Sequence, residues 1–220
     1  MPDAMLADTK THWRCEGEGE RRMLLLHCTL GHSGAWKGVM AGLSNICRMA
    51  AMDLPSHGRS GPHDPRRSWQ RQSAAMALEL MQRTGTPVDL VGHSFGGTVA
   101  LRLALEHPAL VRSLTLVEPV LFSAAKDAGR PEFDETLVHH AAFFDLLDKG
   151  DDRGAAGAFN DFWDEGAGWD RLPEAQKAYM AERIRMIREG GLSVIGEGPD
   201  YMALKTIARI TRPVLLIEGQ

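Results

Sequence analysis

Val88-Asp89-Leu90-Val91-Gly92-His93-Ser94-Phe95-Gly96-Gly97-Thr98 decides how the rest of this chain is read. A strand-forming run, residues 88–91, enters Gly-His-Ser-Phe-Gly-Gly, and a helix-forming run, residues 99–107, follows at once. Ser94 therefore falls on the turn between a strand and a helix. So sharp a turn strains its central residue and leaves no room beside it. Gly92 and Gly96 flank Ser94 at positions where a side chain would strike the opposite limb. Gly97 lets the helix lie close to the strand. The serine hydroxyl then stands clear of the sheet edge, at the positive end of a helix dipole. A nucleophile needs that setting. Five residues of such a pattern recur by chance, so the strand before and the helix after carry the specificity.

Outward from this turn, short apolar runs alternate with helical patterns, the signature of a parallel sheet with crossover helices. Met23-Leu24-Leu25-Leu26-His27 is apolar without alternation and reads as a strand buried on both faces. A glycine-bearing loop and a short helix near residues 36–43 follow. Residues 47–53 form a second strand, closed by the breaker-rich Leu54-Pro55-Ser56-His57-Gly58-Arg59-Ser60-Gly61-Pro62. Ser68 caps the next helix. Its inner face holds Trp69, Ala77, Leu80 and Met81, and Gly85 lies just past its end. The helix after Ser94 is apolar nearly all round, which places it in the interior. It stops at His107, before Pro108. Residues 114–117 are the next strand.

The alternation then breaks. Between Pro119 and Ile210 only helical stretches appear. One carries Ala141, Phe144 and Leu147, and a second carries Phe159, Phe162 and Trp163. A third opens at Pro173 and carries Met180, Ile184 and Ile187, with Arg183, Arg185 and Arg188 turned away. Gly166 and Gly168 separate the helices. Such an insertion reads as a lid over the carboxyl ends of the strands. Pro213-Val214-Leu215-Leu216-Ile217-Glu218 is a strand again. The expected division is a core over 1–118, a helical lid over 119–210, and a further core strand over 211–220.

The bulk properties are those of an ordinary soluble globular protein. A chain of 220 residues can bury one α/β domain with an inserted subdomain. Net charge is −4 with both signs interspersed, so nothing suggests nucleic acid. Cys15, Cys28 and Cys47 are odd in number and fit no metal or redox spacing, which favours free thiols in a reducing compartment. The amino terminus has no signal-peptide pattern, and no apolar run approaches membrane-spanning length. A cytoplasmic location is expected.

The order of motifs resembles the α/β-hydrolase superfamily, specifically its lid-bearing serine hydrolases and esterases. Three stretches carry the resemblance. His27-Cys28-Thr29-Leu30-Gly31-His32-Ser33-Gly34-Ala35-Trp36 is similar to the family's first loop. Asp53-Leu54-Pro55-Ser56-His57-Gly58-Arg59-Ser60 is similar to its Asp-Leu-Pro-Gly-His-Gly-Arg-Ser loop. Residues 92–97 resemble its nucleophile elbow. The resemblance implies an α/β-hydrolase fold, with a mostly parallel sheet flanked by helices. It implies acyl transfer to Ser94 followed by release to water. It also implies an oxyanion hole from the backbone N–H groups of Phe95 and Thr29, with Leu30 lining the substrate pocket. A serine at the elbow argues against the dehalogenase and epoxide-hydrolase branches, whose nucleophile is aspartate.

Departures from the family pattern matter as much. Cys28 and Ser56 stand where the family has glycine. Cys28 reads as a small residue filling the same space, with a reactive thiol as the rival reading. His27 and His57 read as loop-ordering residues, and His93 as a packing residue pointing away from Ser94. The family's acid and histidine follow the nucleophile in chain order, the histidine after about 30 further residues by average element lengths. Neither is found after Gln220. The sheet is therefore expected to lack its last strand, leaving residues 213–218 as an apolar edge. Glu118 is a possible acid, with a buried loop-ordering carboxylate as the preferred reading. His139 and His140 read as a surface pair.

Three accounts of function follow. The first is a serine hydrolase of a small ester, thioester or lactone, a substrate bearing an acyl group. The second is a catalytically inactive binding protein that uses the lid pocket. The third is a fragment of the active enzyme. No cofactor is implied, since phosphate-loop, dinucleotide and metal-ligand patterns are missing. No nucleic-acid or membrane partner is implied. Phe144, Phe159, Phe162 and Trp163 either line an apolar substrate site or form the lid's own core, the second being preferred.

Overall fold

The computed structural model describes residues 2–163, 168–195, 198 and 200–219. Gly166 lies outside them. Seven strands and nine α-helices are found among the described residues. In chain order they are β1 (Asp3–Leu6), β2 (Thr9–Glu16), β3 (Arg21–Leu26), α1 (Lys37–Leu43), β4 (Cys47–Met52), α2 (Trp69–Gln82), β5 (Val88–His93), α3 (Phe95–Glu106) and β6 (Val111–Val117). A helical block follows: α4 (Phe122–Asp127), α5 (Glu132–Asp148), α6 (Asp152–Trp163), α7 (Glu174–Ala181), α8 (Met186–Val194) and α9 (Leu204–Ile207). The chain then returns to the sheet as β7 (Val214–Ile217).

The sheet order is β1-β2-β4-β3-β5-β6-β7. Strands from β4 across to β7 run parallel, and the β1–β2 hairpin joins antiparallel through β2. This is the α/β-hydrolase architecture. The parallel centre explains why β3 and β5 show no polar alternation. Leu24, Leu25 and Leu26 are buried, as are Val88, Leu90 and Val91, because helices cover both faces. Each such side chain contributes about 1.5–3 kcal/mol by leaving water.

Local chemistry agrees with these elements. Ser68 caps α2, its side chain accepting from the Arg71 N–H, and such caps contribute about 1 kcal/mol. Trp69, Ala77, Leu80 and Met81 are all buried, as the helical spacing predicts. Helix α3 is buried from Phe95 through Ala104, which accounts for its nearly all-apolar sequence.

Three expectations need correction. The buried residues of α5 are Phe143 and Leu147, with Phe144 half-buried and Ala141 exposed. The stretch opening at Pro173 is two helices, α7 and α8, separated by residues 182–185. The β1–β2 hairpin has no counterpart in the sequence reading. Its turn residues, Ala7 and Asp8, both take positive φ (45° and 63°), without the glycine that usually marks such turns.

The helical block has a core of its own, in which Phe143, Leu147, Ala155, Met180, Ile184 and Ile187 pack together around Leu30 of the sheet domain. Met186, Val194 and Met202 join the main core instead. At the far side, β7 pairs among the described residues only with β6, and all four of its side chains are exposed. No helix among the described residues is long and apolar enough to cross a membrane.

Candidate active site

Backbone strain marks the site before any side chain does. Leu30, Ser56, Ser94 and Glu118 all have positive φ, at 63°, 64°, 52° and 43°. Each follows one of four neighbouring parallel strands: β3, β4, β5 and β6. Such conformations cost about 1–3 kcal/mol each in non-glycine residues and gather at functional sites. In open α/β sheets, ligands bind at these carboxyl ends.

Ser94 has φ 52° and ψ −119°, between the last residue of β5 and the first of α3. Its N–H donates to the Val117 carbonyl at 2.9 Å, and its own carbonyl accepts from the Gly97 N–H at 2.9 Å. A Cβ on Gly92 would stand 2.4 Å from the Gly96 carbonyl oxygen. A Cβ on Gly96 would meet the Leu26 carbonyl oxygen, also at 2.4 Å. The second clash is with β3 rather than with the opposite limb of the turn. Close approach to β3 brings the amino end of α3 beside the loop after that strand. The Phe95 N–H begins the helix and has no partner within it. The Thr29 N–H makes no hydrogen bond among the described residues. Both are free donors near the serine.

Two buried histidines tie the strand-end loops together. The Leu54 N–H donates to His27 Nε2 at 2.9 Å, and the Leu30 N–H donates to His57 Nε2 at 3.1 Å. Each histidine therefore orders the other's loop. Since both Nε2 atoms accept, the ring protons sit on Nδ1. They donate to the carbonyls of Cys28 and Pro55 at 2.7 and 2.9 Å. Burial lowers the His27 pKa to about 4 and the His57 pKa to about 3. Both rings are neutral, which the network requires. Asp53, also buried, accepts from the Ser33 N–H at 2.6 Å and the Arg59 N–H at 2.9 Å. Ser56, at a position that favours glycine, uses its hydroxyl to accept from the His63 N–H at 2.9 Å.

Below the serine, His57, Trp69 and Phe95 stack in a column, with ring centroids 5.2 and 3.9 Å apart. No local pattern announces this column, because its members come from a loop and from two helices distant along the chain.

His93 lines the same cavity as Ser94, with Nε2 3.8 Å from Glu118 Oε2. Burial lowers its pKa, partly opposed by Glu118. Glu118 is exposed rather than buried, and its Oε1 accepts from the Gly219 N–H at 3.0 Å. It orders a loop, as preferred, but from the surface. His139 and His140 line a separate small cavity of about 100 Å³. Cys28 lines the Ser94 cavity with its thiol pushed up to about 11 by burial, so it is protonated at neutral pH. That favours the space-filling reading.

The cavity measures about 390 Å³. Thr29, Leu30, His93, Ser94 and Glu118 form its floor. Phe159, Asn160, Trp163 and Met180 of the helical block form its walls. Phe144 and Phe162 do not line it. A larger cavity of about 520 Å³ lies between α2 and α3. Of its charged groups, Arg71, Arg102, Glu106 and Asp200 pair with one another, Arg66 pairs with Asp64, and Arg67 donates to the Ala7 carbonyl.

Known proteins resemble this chain in sequence and in fold. The chain is 37% identical over 145 residues to lipase LipV of Mycobacterium tuberculosis, covering 65% of this chain and 53% of the lipase. It is 38% identical over 100 residues to the pimeloyl-[acyl-carrier protein] methyl ester esterase of Nitrosomonas europaea, covering 43% of this chain and 36% of the esterase. The chain thus spans about half or less of the length of these curated relatives. Among solved structures, the enol-lactonase from Burkholderia xenovorans superposes with a TM-score of 0.74 at 20% identity. That superposition covers 100% of this chain and 81% of the lactonase, and shows a shared fold. The sequence pattern of the alpha/beta hydrolase family matches residues 23–219. That span takes in every strand end described above, and the chain belongs to the alpha/beta hydrolase family.

Proposed function

We propose that the protein is a serine hydrolase that cleaves a small ester, thioester or lactone through an acyl-enzyme on Ser94. The observation that carries this reading is the strained Ser94 between β5 and α3, facing a 390 Å³ cavity beside two free backbone N–H groups. Ser94 Oγ attacks the substrate carbonyl carbon, and as the new C–O bond forms its proton passes to water in the cavity, which returns it to the leaving group in the next step. The carbonyl oxygen becomes an oxyanion that accepts from the Thr29 and Phe95 N–H groups. Each such donor contributes about 3–4 kcal/mol to the transition state. The tetrahedral adduct collapses with cleavage of the bond to the alcohol, thiol or lactone oxygen, and the leaving group takes a proton. Water then attacks the acyl-enzyme and releases the acid. The helical block acts as the lid, with Phe159, Trp163 and Met180 holding the apolar part of the substrate. Relatives named as a lipase and a methyl ester esterase support ester chemistry.

A second reading, a binding protein without catalysis, is favoured by one observation. Among the described residues, no side chain hydrogen-bonds the Ser94 hydroxyl, and His93 faces Glu118.

A fluorophosphonate probe and a p-nitrophenyl ester series test both readings. The hydrolase reading expects phosphonylation of Ser94 and loss of ester turnover in Ser94→Ala. Unchanged turnover in Ser94→Ala removes Ser94 from the mechanism. A wild-type chain that neither labels nor turns over, yet binds the esters, supports the binding reading.

A further inference from the structure

Tyr179 of α7 occupies a position that the hydrolase reading does not use. Its hydroxyl accepts from the Gly58 N–H at 3.0 Å and donates to the Gly31 carbonyl at 2.9 Å. One phenol thus bridges the loop after β3 and the loop after β4. The Arg183 guanidinium lies 3.7 Å from the centre of its ring, and His32 packs edge-on against it. These contacts fix where the hydroxyl stands.

The two loops are held from two sides. From the sheet domain, His27 and His57 make the reciprocal bonds described above. From the helical block come the Tyr179 hydroxyl on Gly31 and the apolar cluster, including Phe143, Leu147, Met180 and Ile184, in which the Leu30 side chain is buried. Leu30 and Gly31 directly follow Thr29, whose N–H is the proposed oxyanion donor. Leu30 is also strained, at φ 63°, so its conformation persists only while its surroundings impose it. If the helical block moves away as a unit, both ties are lost together.

We propose that closure of the helical block assembles the oxyanion loop, and that Tyr179 is the positioning residue coupling the two. The catalytic use of the loop rests on the serine-hydrolase reading; the coupling itself does not. In this scheme the open protein has a relaxed Thr29 loop and a poor site for negative charge. A substrate that draws the helices down completes the hole that will act on it.

Cys28 reports on the loop without any catalysis. It adjoins Thr29, and its sulfur packs under Gly31. Iodoacetamide modification of Cys28, mapped by mass spectrometry at fixed pH, therefore measures how often the loop opens. In Tyr179→Phe the ring stays and the hydroxyl goes. The expected result is a rise of about three- to tenfold in Cys28 alkylation, the change equivalent to one net hydrogen bond. Fluorophosphonate labelling of Ser94 should fall by roughly tenfold or more, as small misplacements at a reacting centre do. Tyr201→Phe is the control, since Tyr201 hydrogen-bonds Asp127 away from the site. It should leave both rates unchanged.

Wild-type rates at both Cys28 and Ser94 in a folded Tyr179→Phe overturn the coupling. Failure of the wild type to label at Ser94 counts against the hydrolase reading alone, and Cys28 still decides the coupling. If Tyr179→Phe does not fold, hydrogen exchange of the wild type decides. Coupling expects the Gly58 amide to exchange with the same denaturant dependence as the amides of α7. Independent exchange overturns it.

Discussion

Replacing His27 or His57 by glutamine should flatten the acid sensitivity of the fold. Both imidazoles are neutral and buried, with pKa values of about 4 and about 3 against an ordinary 6.5. In the unfolded chain each takes up a proton near pH 6.5; in the folded protein each refuses it. The unfolded state therefore binds more protons, and stability falls as pH drops from about 6.5 towards the folded values. At 1.36 kcal/mol per pKa unit, each histidine removes about 2 kcal/mol between pH 7 and pH 5, about 4 kcal/mol for the pair. That is a large part of the 5–15 kcal/mol that holds a typical domain together. Most carboxylates remain ionised across this window. His93 and His140, whose pKa values are also lowered, contribute equally to the wild type and the variants. Glutamine keeps an acceptor for the Leu54 or Leu30 N–H but cannot take a proton. Urea unfolding at pH 7 and pH 5 gives the comparison. Each single variant should lose about 2 kcal/mol less than the wild type over that interval. An identical loss in all three proteins would refute the claim that these two rings are neutral and buried.

Other consequences concern the sheet. Asp89 is buried and accepts from Arg112 Nε and Nη2 (2.9 and 2.6 Å), the Ser113 hydroxyl (2.6 Å) and Arg21 Nε (3.0 Å). Burial alone would raise its pKa, but these bonds together hold it below the usual carboxylate value. Its stabilisation is present above the ordinary carboxylate pKa and is lost as pH falls through the lowered one. Asp89→Asn should cost about 2 kcal/mol and lower the melting temperature by about 4–8 °C in a thermal scan at pH 7. Gly96→Ala drives a methyl to within 2.4 Å of the Leu26 carbonyl oxygen, so a loss of about 3 kcal/mol or more is expected. Wild-type urea stability in that variant would contradict the close approach of α3 to β3. Leu216, 62% exposed on β7, is a pairing template for another strand. Leu216→Lys should reduce light scattering in concentrated solution, and scattering as strong as the wild type's would show that the β7 edge is not adhesive.

The parts of the fold legible in sequence were those whose signal is local. Residues 92–97 announce their turn because only glycine fits beside Ser94, and a missing side chain is visible in a string of letters. Burial on both faces left an unbroken apolar run at Leu24-Leu25-Leu26, and Ser68 showed itself as a cap. The β1–β2 hairpin escaped because Ala7 and Asp8 form its turn without glycine or asparagine. The single helix expected after Pro173 became two because Met180, Ile184 and Ile187 keep helical spacing across the break at 182–185. His93 and Tyr179 escaped for a different reason. Their roles depend on which loop stands opposite, and Tyr179 is 148 residues from the Gly31 carbonyl it meets. Substrate identity is encoded in the shape of a cavity wall built from separate helices, and no spacing rule reads that.

Phe95 divides its labour between two parts of one residue. Its ring lies on Trp69 in the column that includes His57. Its amide opens α3 next to the serine. The ring acts as a shim: its thickness sets the height at which the helix starts, and so where the N–H stands relative to the Thr29 N–H. A smaller side chain would leave every proposed catalytic atom in place by name while lowering one of them. Substitutions here should therefore shift rate and core stability in step, an exchange that conventional scans of hydroxyls and imidazoles would pass over. In redesign, the residue after the nucleophile is best chosen by volume.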